Sequence, residues 1–228
     1  MTTFRHALKT IIGEKNKKEL QHLKLRTLCL LGVPPFTGHG KLDKIILPFL
    51  SEEPGFFIEA GGNDGFSQSN TYYLEKVRGW DGILVEPIHE LASMARRFRD
   101  CTICECAIGA PHTAGDEITL SFSDLKSEIG SAEPVRWNGI FGPNPRTAKA
   151  TLRTLSDIIA EHGRHVDLLS LDVEGYELPV LDGLDLNEHA PTVIVVETAQ
   201  IGQVYARLAS RYGPPERLTH HDYLFQRQ

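Results

Sequence analysis

Two acids, Glu59 and Glu86, each end a short apolar run, FFIEA (56–60) and GILVEP (82–87), and a glycine-rich turn, AGGNDG (60–65), follows the first. Gly61 and Gly65 give that turn the freedom to bring backbone close to a ligand, and Asn63 between them is one of the few other residues that tolerates positive φ. The dinucleotide fingerprint GxGxxG fails, because its second and third glycine positions, counted from Gly61, hold Asn63 and Phe66. No GK[ST] follows to cradle a triphosphate. A carboxylate at the mouth of the turn would repel a pyrophosphate but attract a ligand carrying a sulfonium and an ammonium. Glu86, 21 residues after Gly65, is placed to accept hydrogen bonds from ribose hydroxyls. This constellation points to S-adenosylmethionine rather than NAD. The plainer reading is a glycine turn that links strand to helix, with Glu86 solvated.

A second constellation could act on the acceptor. Asp172 ends the run VDLLSLD, Glu174 follows two residues later, and Glu197 ends the run TVIVVE. Were the acceptor an alcohol, methyl transfer to it would need a base or a metal to take or share the hydroxyl proton. Asp172 and Glu197 are therefore candidate ligands of a Mg²⁺-like ion, which prefers oxygen donors. Asp172 alone could instead position the acceptor, with Glu174 beside it, or a histidine could be the base; His39, in the glycine-flanked TGHG, has a better claim than His89 or His165. Against this, Asp172 and Glu174 could simply cap a helix starting near Glu177. Ser67, Gln68, Ser69 and Asn70 open the helix after the glycine turn. Ser67 and Asn70 could meet the carboxylate of the methionine moiety, although Ser67 or Ser69 could equally serve as the N-cap. Ala107 and Ile108 could pack on an adenine ring, and Arg136 and Trp137 could contact a glycan. Cys101, Cys104 and Cys106 lack the matching CxxC or HxxxH that a structural zinc site requires, and read as buried strand cysteines.

An alternating pattern positions these residues. Strands are expected at 56–60, 82–87, 102–108, 166–173 and 191–198, with helices at 67–79, 88–100, 153–163 and 199–213. Such alternation builds a doubly wound, mostly parallel α/β sheet. Two further strands, 117–123 and 221–226, are expected to extend it. Residues 3–31 read as one or two helices, and residues 1–54 as an N-terminal helical extension to a domain spanning 55–228. Residues 124–150 carry no periodicity and read as an insert, a candidate lid over the acceptor.

Composition narrows the field. The chain has 228 residues and a net charge of −6, against a phosphate-backbone binder, which would need a basic surface. No apolar run approaches the ~20 residues of a membrane span. The first twenty residues do not read as a secretory signal, and four cysteines are too few for a disulfide framework, so a cytoplasmic setting is expected. The oligomeric state has no signature.

FIEAGGNDGFSQSNTYYLE (57–75), GILVEP (82–87) and above all VDLLSLDVEGYELPVLDGL (166–184) resemble the FkbM family of S-adenosylmethionine-dependent methyltransferases. The resemblance implies a class I methyltransferase fold, a seven-stranded sheet whose last strand is antiparallel. It also implies O-methylation of a small-molecule or glycan hydroxyl. By position, Glu59, Gly61, Asn63, Gly65 and Glu86 match the family's cofactor segments, with Glu59 where the family often has Asp. Two rivals remain: an NAD-dependent reductase or epimerase, which the missing third glycine counts against, and a non-catalytic binding module.

Overall fold

The computed structural model describes residues 2–123, 126–129 and 146–228, with side chains described for 16–120 and 147–228. The chain forms two compact units, residues 1–36 and 37–228. The first is a single helix, α1 (Thr2–Leu30). It stops because Gly32 turns to φ 71°, so that Gly32 N–H bonds to the Cys29 carbonyl and Val33 N–H to that of Leu28, a Schellman motif that satisfies the last carbonyls. Residues 37–54, expected at the end of a helical extension, fold as part of the second unit.

The second unit contains, in chain order, α2 (Leu42–Ile45), β1 (Phe56–Ala60), α3 (Tyr72–Arg78), β2 (Asp81–Val85), α4 (His89–Phe98), β3 (Thr102–Cys104), β4 (Ala107–Ile108), β5 (Glu117–Ser123), β6 (Lys126–Ile129), β7 (Arg146–Arg153), α5 (Leu155–His162), β8 (Leu168–Leu171), α6 (Glu177–Asp182), β9 (Val193–Glu197), α7 (Ile201–Leu208), β10 (Glu216–Arg217) and β11 (Asp222–Gln226). Seven strands form one sheet in the order β10-β11-β9-β8-β1-β2-β3. Strands β1, β2, β3, β8 and β9 are parallel, and β11 inserts antiparallel between β9 and β10. This is the class I methyltransferase architecture.

Alternation along each strand feeds two cores. Ile58, Ile83, Leu169 and Ile194 pack on one face against Ile158 of α5, Val180 of α6 and Val204 of α7. Phe57, Leu84, Leu168 and Val195 pack on the other with Leu42, Ile46, Leu74 and Trp80. Strand β1 pairs with β2 on one side and β8 on the other, so the sequence order reverses at β1. A doubly wound sheet opens its ligand crevice at such a point, beyond the carboxyl ends of the strands.

Two expectations are corrected. The segment 102–108 is not one strand: Cys106 N–H bonds back to the Cys104 carbonyl at 3.2 Å, and this tight turn ends β3 and sends the chain out of the main sheet. Residues 117–123 consequently do not extend that sheet. Strand β5 pairs with β6 and β7 in a separate four-stranded sheet of order β4-β7-β5-β6. The described parts of the 124–150 insert are therefore strands, while Arg136 and Trp137 lie outside the described residues. Among the described residues no helix is long and apolar enough to cross a membrane.

Candidate active site

At the carboxyl ends of β1, β2 and β8 an open cleft is formed. Gly61, Val85, Glu86 and Pro87 form one side, and Cys106, Ala107, Ile108 and Leu120 form an apolar wall. Asp172, Val173 and Tyr176 close the third side.

The glycine turn is pinned by its own backbone. Gly61 and Gly62 N–H both donate to the Val85 carbonyl, at 3.1 and 3.2 Å, which ties the exit of β1 to the end of β2. Gly61 sits at φ 86°, and a Cβ there would fall 1.9 Å from the Asp172 carbonyl oxygen. The residue is therefore glycine because β8 ends against it. Asn63 adopts φ 50°, as expected of the one non-glycine able to do so cheaply in this turn.

Glu86 is buried to 4% exposure yet reaches the cleft. One carboxylate oxygen accepts from Asn63 N–H at 2.9 Å and the other from Ile88 N–H at 3.0 Å. Burial pushes its carboxyl up to about 7, with Asp64 adding to the rise and the two backbone donors opposing it. Each oxygen keeps a lone pair for a hydroxyl donor.

Asp172 stands across the cleft at the end of β8, its N–H bonded to the Ala60 carbonyl at 3.1 Å. Burial, then the negative charges of Glu197 and Glu174, hold its carboxyl well above the usual carboxylate range, and a hydrogen bond with Glu197 reinforces this. The negative charge of Glu197 beside it makes ionisation of Asp172 costly, so Asp172 keeps its proton more readily than a solvated carboxyl. Among the described residues no group of three or more His, Cys, Asp or Glu is arranged to hold a metal ion, so the expected Mg²⁺ on Asp172 and Glu197 has no structural support.

The methyltransferase FkbM domain description matches residues 59–213, more than half of the chain. The chain belongs to the FkbM methyltransferase family. Among solved structures it is similar to one described as a SAM dependent methyltransferase from Aquifex aeolicus, with 10% identity and a TM-score of 0.45 over 90% of this chain and 97% of that one. Comparison with curated proteins gave no match. Family membership makes the protein an S-adenosylmethionine-dependent methyltransferase.

Within this FkbM domain, Glu59 is not placed as the sequence suggested. Its carboxylate does not line the cleft but accepts from Ser69 Oγ (2.8 Å), Thr71 Oγ1 (2.6 Å), Asn70 N–H (2.7 Å) and Arg99 Nη1 (3.4 Å). The acid that was to face a sulfonium instead builds the loop after the glycine turn, and Arg99 neutralises it. Arg99 was missed. Its side chain is fully buried and also donates to the Gly65 carbonyl, Thr71 Oγ1 and Glu75. Nothing in the string ARRFRD marks the last arginine as the buried one, because its partners come from a loop some 30 residues earlier.

The other expectations divide. Ser67 folds inward, its N–H and Oγ both donating to Asp64, while Ser69 Oγ accepts from Tyr72 N–H at the start of α3, whose N-cap residue is Thr71. Asn70 donates from Nδ2 to Ser170 Oγ at 3.1 Å, and its buried Oδ1 has no partner among the described residues. Ala107 is in the apolar wall of the cleft. Gly65, at φ 90°, packs against α4, where a Cβ would lie 2.9 Å from Ala95 Cα. His39 is exposed, with Nδ1 3.4 Å from Gln68 Nε2, and lies beside the glycine loop rather than in the cleft. Glu174 takes φ 51° in the turn leaving β8. The acid that organises that turn is Glu177, buried at 2%, which accepts from Gly175 N–H at 2.7 Å.

Proposed function

We propose that the chain transfers a methyl group from S-adenosylmethionine to a hydroxyl oxygen of a sugar, glycan or natural-product acceptor. The observation that carries this reading is the proximity of Gly61 and Asp172: the acid stands where the cofactor turn ends. The cofactor fits the residues present. Glu86 presents its carboxyl to ribose hydroxyls, and Ala107, Ile108 and Leu120 offer an apolar wall to adenine. When bound, the cofactor supplies an electrophilic methyl carbon on a sulfonium.

The chain's own residues do the rest. Asp172, whose carboxyl burial and the neighbouring Glu197 hold above the usual range, accepts a hydrogen bond from the acceptor hydroxyl and takes its proton as the oxygen becomes nucleophilic. Glu174 adds negative field beside them. Tyr176 and Val173 narrow the cleft around the acceptor and exclude water. Most of the rate then comes from alignment of acceptor oxygen, methyl carbon and sulfur. Asn70, whose orphaned Oδ1 needs a donor, and Ser67 are assigned to the methionine end, and His39 to the acceptor's entry. The four free thiols suit a reducing, cytoplasmic setting.

The test is transfer of labelled methyl to a panel of sugars and metabolites, with and without EDTA, alongside titrations with S-adenosylhomocysteine and NADH. Binding of the homocysteine product and EDTA-resistant transfer to a hydroxyl support the reading. EDTA-sensitive transfer would return a metal to Asp172 and Glu197, and binding of NADH alone would overturn methyl transfer.

A further inference from the structure

The turn that ends β3 has a chemical by-product. Residues two apart on a regular strand share a face but sit about 6.6 Å apart along it. Because Cys106 N–H folds back on the Cys104 carbonyl, the two side chains converge, and their sulfurs lie 3.3 Å apart. A guanidinium faces them: Arg153 Nη1 is 3.7 Å from Cys104 Sγ. Arg153 is fixed there by the pairing of Ile108 with Arg153 between β4 and β7, and by Glu161 at 2.6 Å. Cys106 is buried at the cleft wall, while Cys104 is only half-buried, so Cys104 is the thiol of the two that is open to a small oxidant.

We infer that Cys104 and Cys106 form a two-thiol site that hydroperoxides oxidise to an intrachain disulfide. The hydrogen bond from Cys106 lowers the Cys104 thiol to about 7, with Arg153 helping against the opposing effect of burial, while Cys106 is pushed up. Cys104 is thus the nucleophile and Cys106 the resolving thiol. The Cys104 thiolate attacks the terminal oxygen of the hydroperoxide. The O–O bond breaks, the alkoxide or hydroxide leaves and takes a proton from solvent, and a sulfenic acid remains on Cys104. The Cys106 sulfur then attacks that sulfur, the S–O bond breaks, and the hydroxyl leaves as water with the Cys106 proton. Two electrons pass from the two thiols to the peroxide, and the sulfur separation closes from 3.3 Å to about 2.0 Å. Cys101 provides an internal contrast, since burial pushes its thiol far up and it has no thiol neighbour with which to pair.

This site is independent of the methyl acceptor. The test is titration of the full chain, in a Cys29→Ser background, with hydrogen peroxide, followed by thiol counting and mass mapping. The expected result is loss of two thiols and two hydrogens, both in the peptide carrying residues 104–106, reversed by dithiothreitol. Cys106→Ser is expected to stop at a sulfenic acid on Cys104, trapped by dimedone, and Arg153→Gln to slow that step several-fold. Retention of both thiols at peroxide levels that oxidise free cysteine would overturn the inference. So would labelling of Cys104 no faster than Cys101 in Cys106→Ser.

Discussion

Gly61 and Asp172 meet across the crevice of the sheet, with the space of a single missing Cβ between them: a methyl at residue 61 would lie 1.9 Å from the Asp172 carbonyl oxygen. Gly61→Ala combines this clash with a side chain at φ 86°, and the backbone strain alone costs about 1–3 kcal/mol. The expected outcome is a large loss of thermal stability and at least a tenfold loss of S-adenosylhomocysteine affinity, about 1.4 kcal/mol. Gly163→Ala separates the two causes. It has φ 63° but no neighbour within 4 Å, so it should lower stability modestly and leave affinity unchanged.

Glu86 should make both stability and binding depend on pH. Folding raises its pKa from 4.5 to about 7, so between those values the folded chain holds a proton that the unfolded chain has lost. Stability fully present below about pH 4.5 is therefore lost as pH rises to 7, by about 3 kcal/mol. Glu86→Gln should flatten that slope in urea titrations at a series of pH values. Ribose hydroxyls donating to this carboxylate favour its ionised form. Cofactor affinity should consequently rise from pH 6 to pH 8 with proton release on binding, measurable by calorimetry in buffers of different ionisation enthalpy. Glu86→Gln should weaken binding and abolish the release.

Asp172→Ala should abolish methyl transfer while leaving cofactor affinity within a few-fold; unchanged turnover would remove Asp172 from the mechanism. Glu197→Gln should act more subtly. Removing one negative neighbour lowers the Asp172 pKa, so the acid limb of the kcat profile should move to lower pH.

Arg99 should be the costliest of the buried polar residues to remove. Burial pushes the Glu75 carboxyl up, but Arg99 and Lys76 outweigh it and hold it at about 2. Its stabilisation is present above pH 4.5 and lost as pH falls towards 2, by about 3 kcal/mol. Arg99→Met strands Glu59 and Glu75 in a buried site, with an expected cost of about 3–5 kcal/mol in urea denaturation. The surviving fold should also lack the wild-type loss of stability between pH 4.5 and 2.

Strands β1, β8 and β9 were legible because each is a continuous apolar run, and β1 appears where FFIEA put it. Strand β4 was not, because only a backbone turn at Cys104–Cys106 separates TIC from AI, and turns of that kind leave no compositional mark. Glu86 could be read from its position at a strand end, since one strand fixes it. Glu59 could not, because its surroundings are Ser69, Thr71 and Arg99, brought together only by tertiary packing. Glu177 was read as a helix start, and its grip on Gly175 is a consequence of the turn before it.

The pairing of Ala107 with Leu152 and Ile108 with Arg153 roots the β5–β7 ribbon in the wall of the cleft. Ala107 and Ile108 thus belong to two structures at once, so a substitution that shifts β7 also displaces the wall of the cleft.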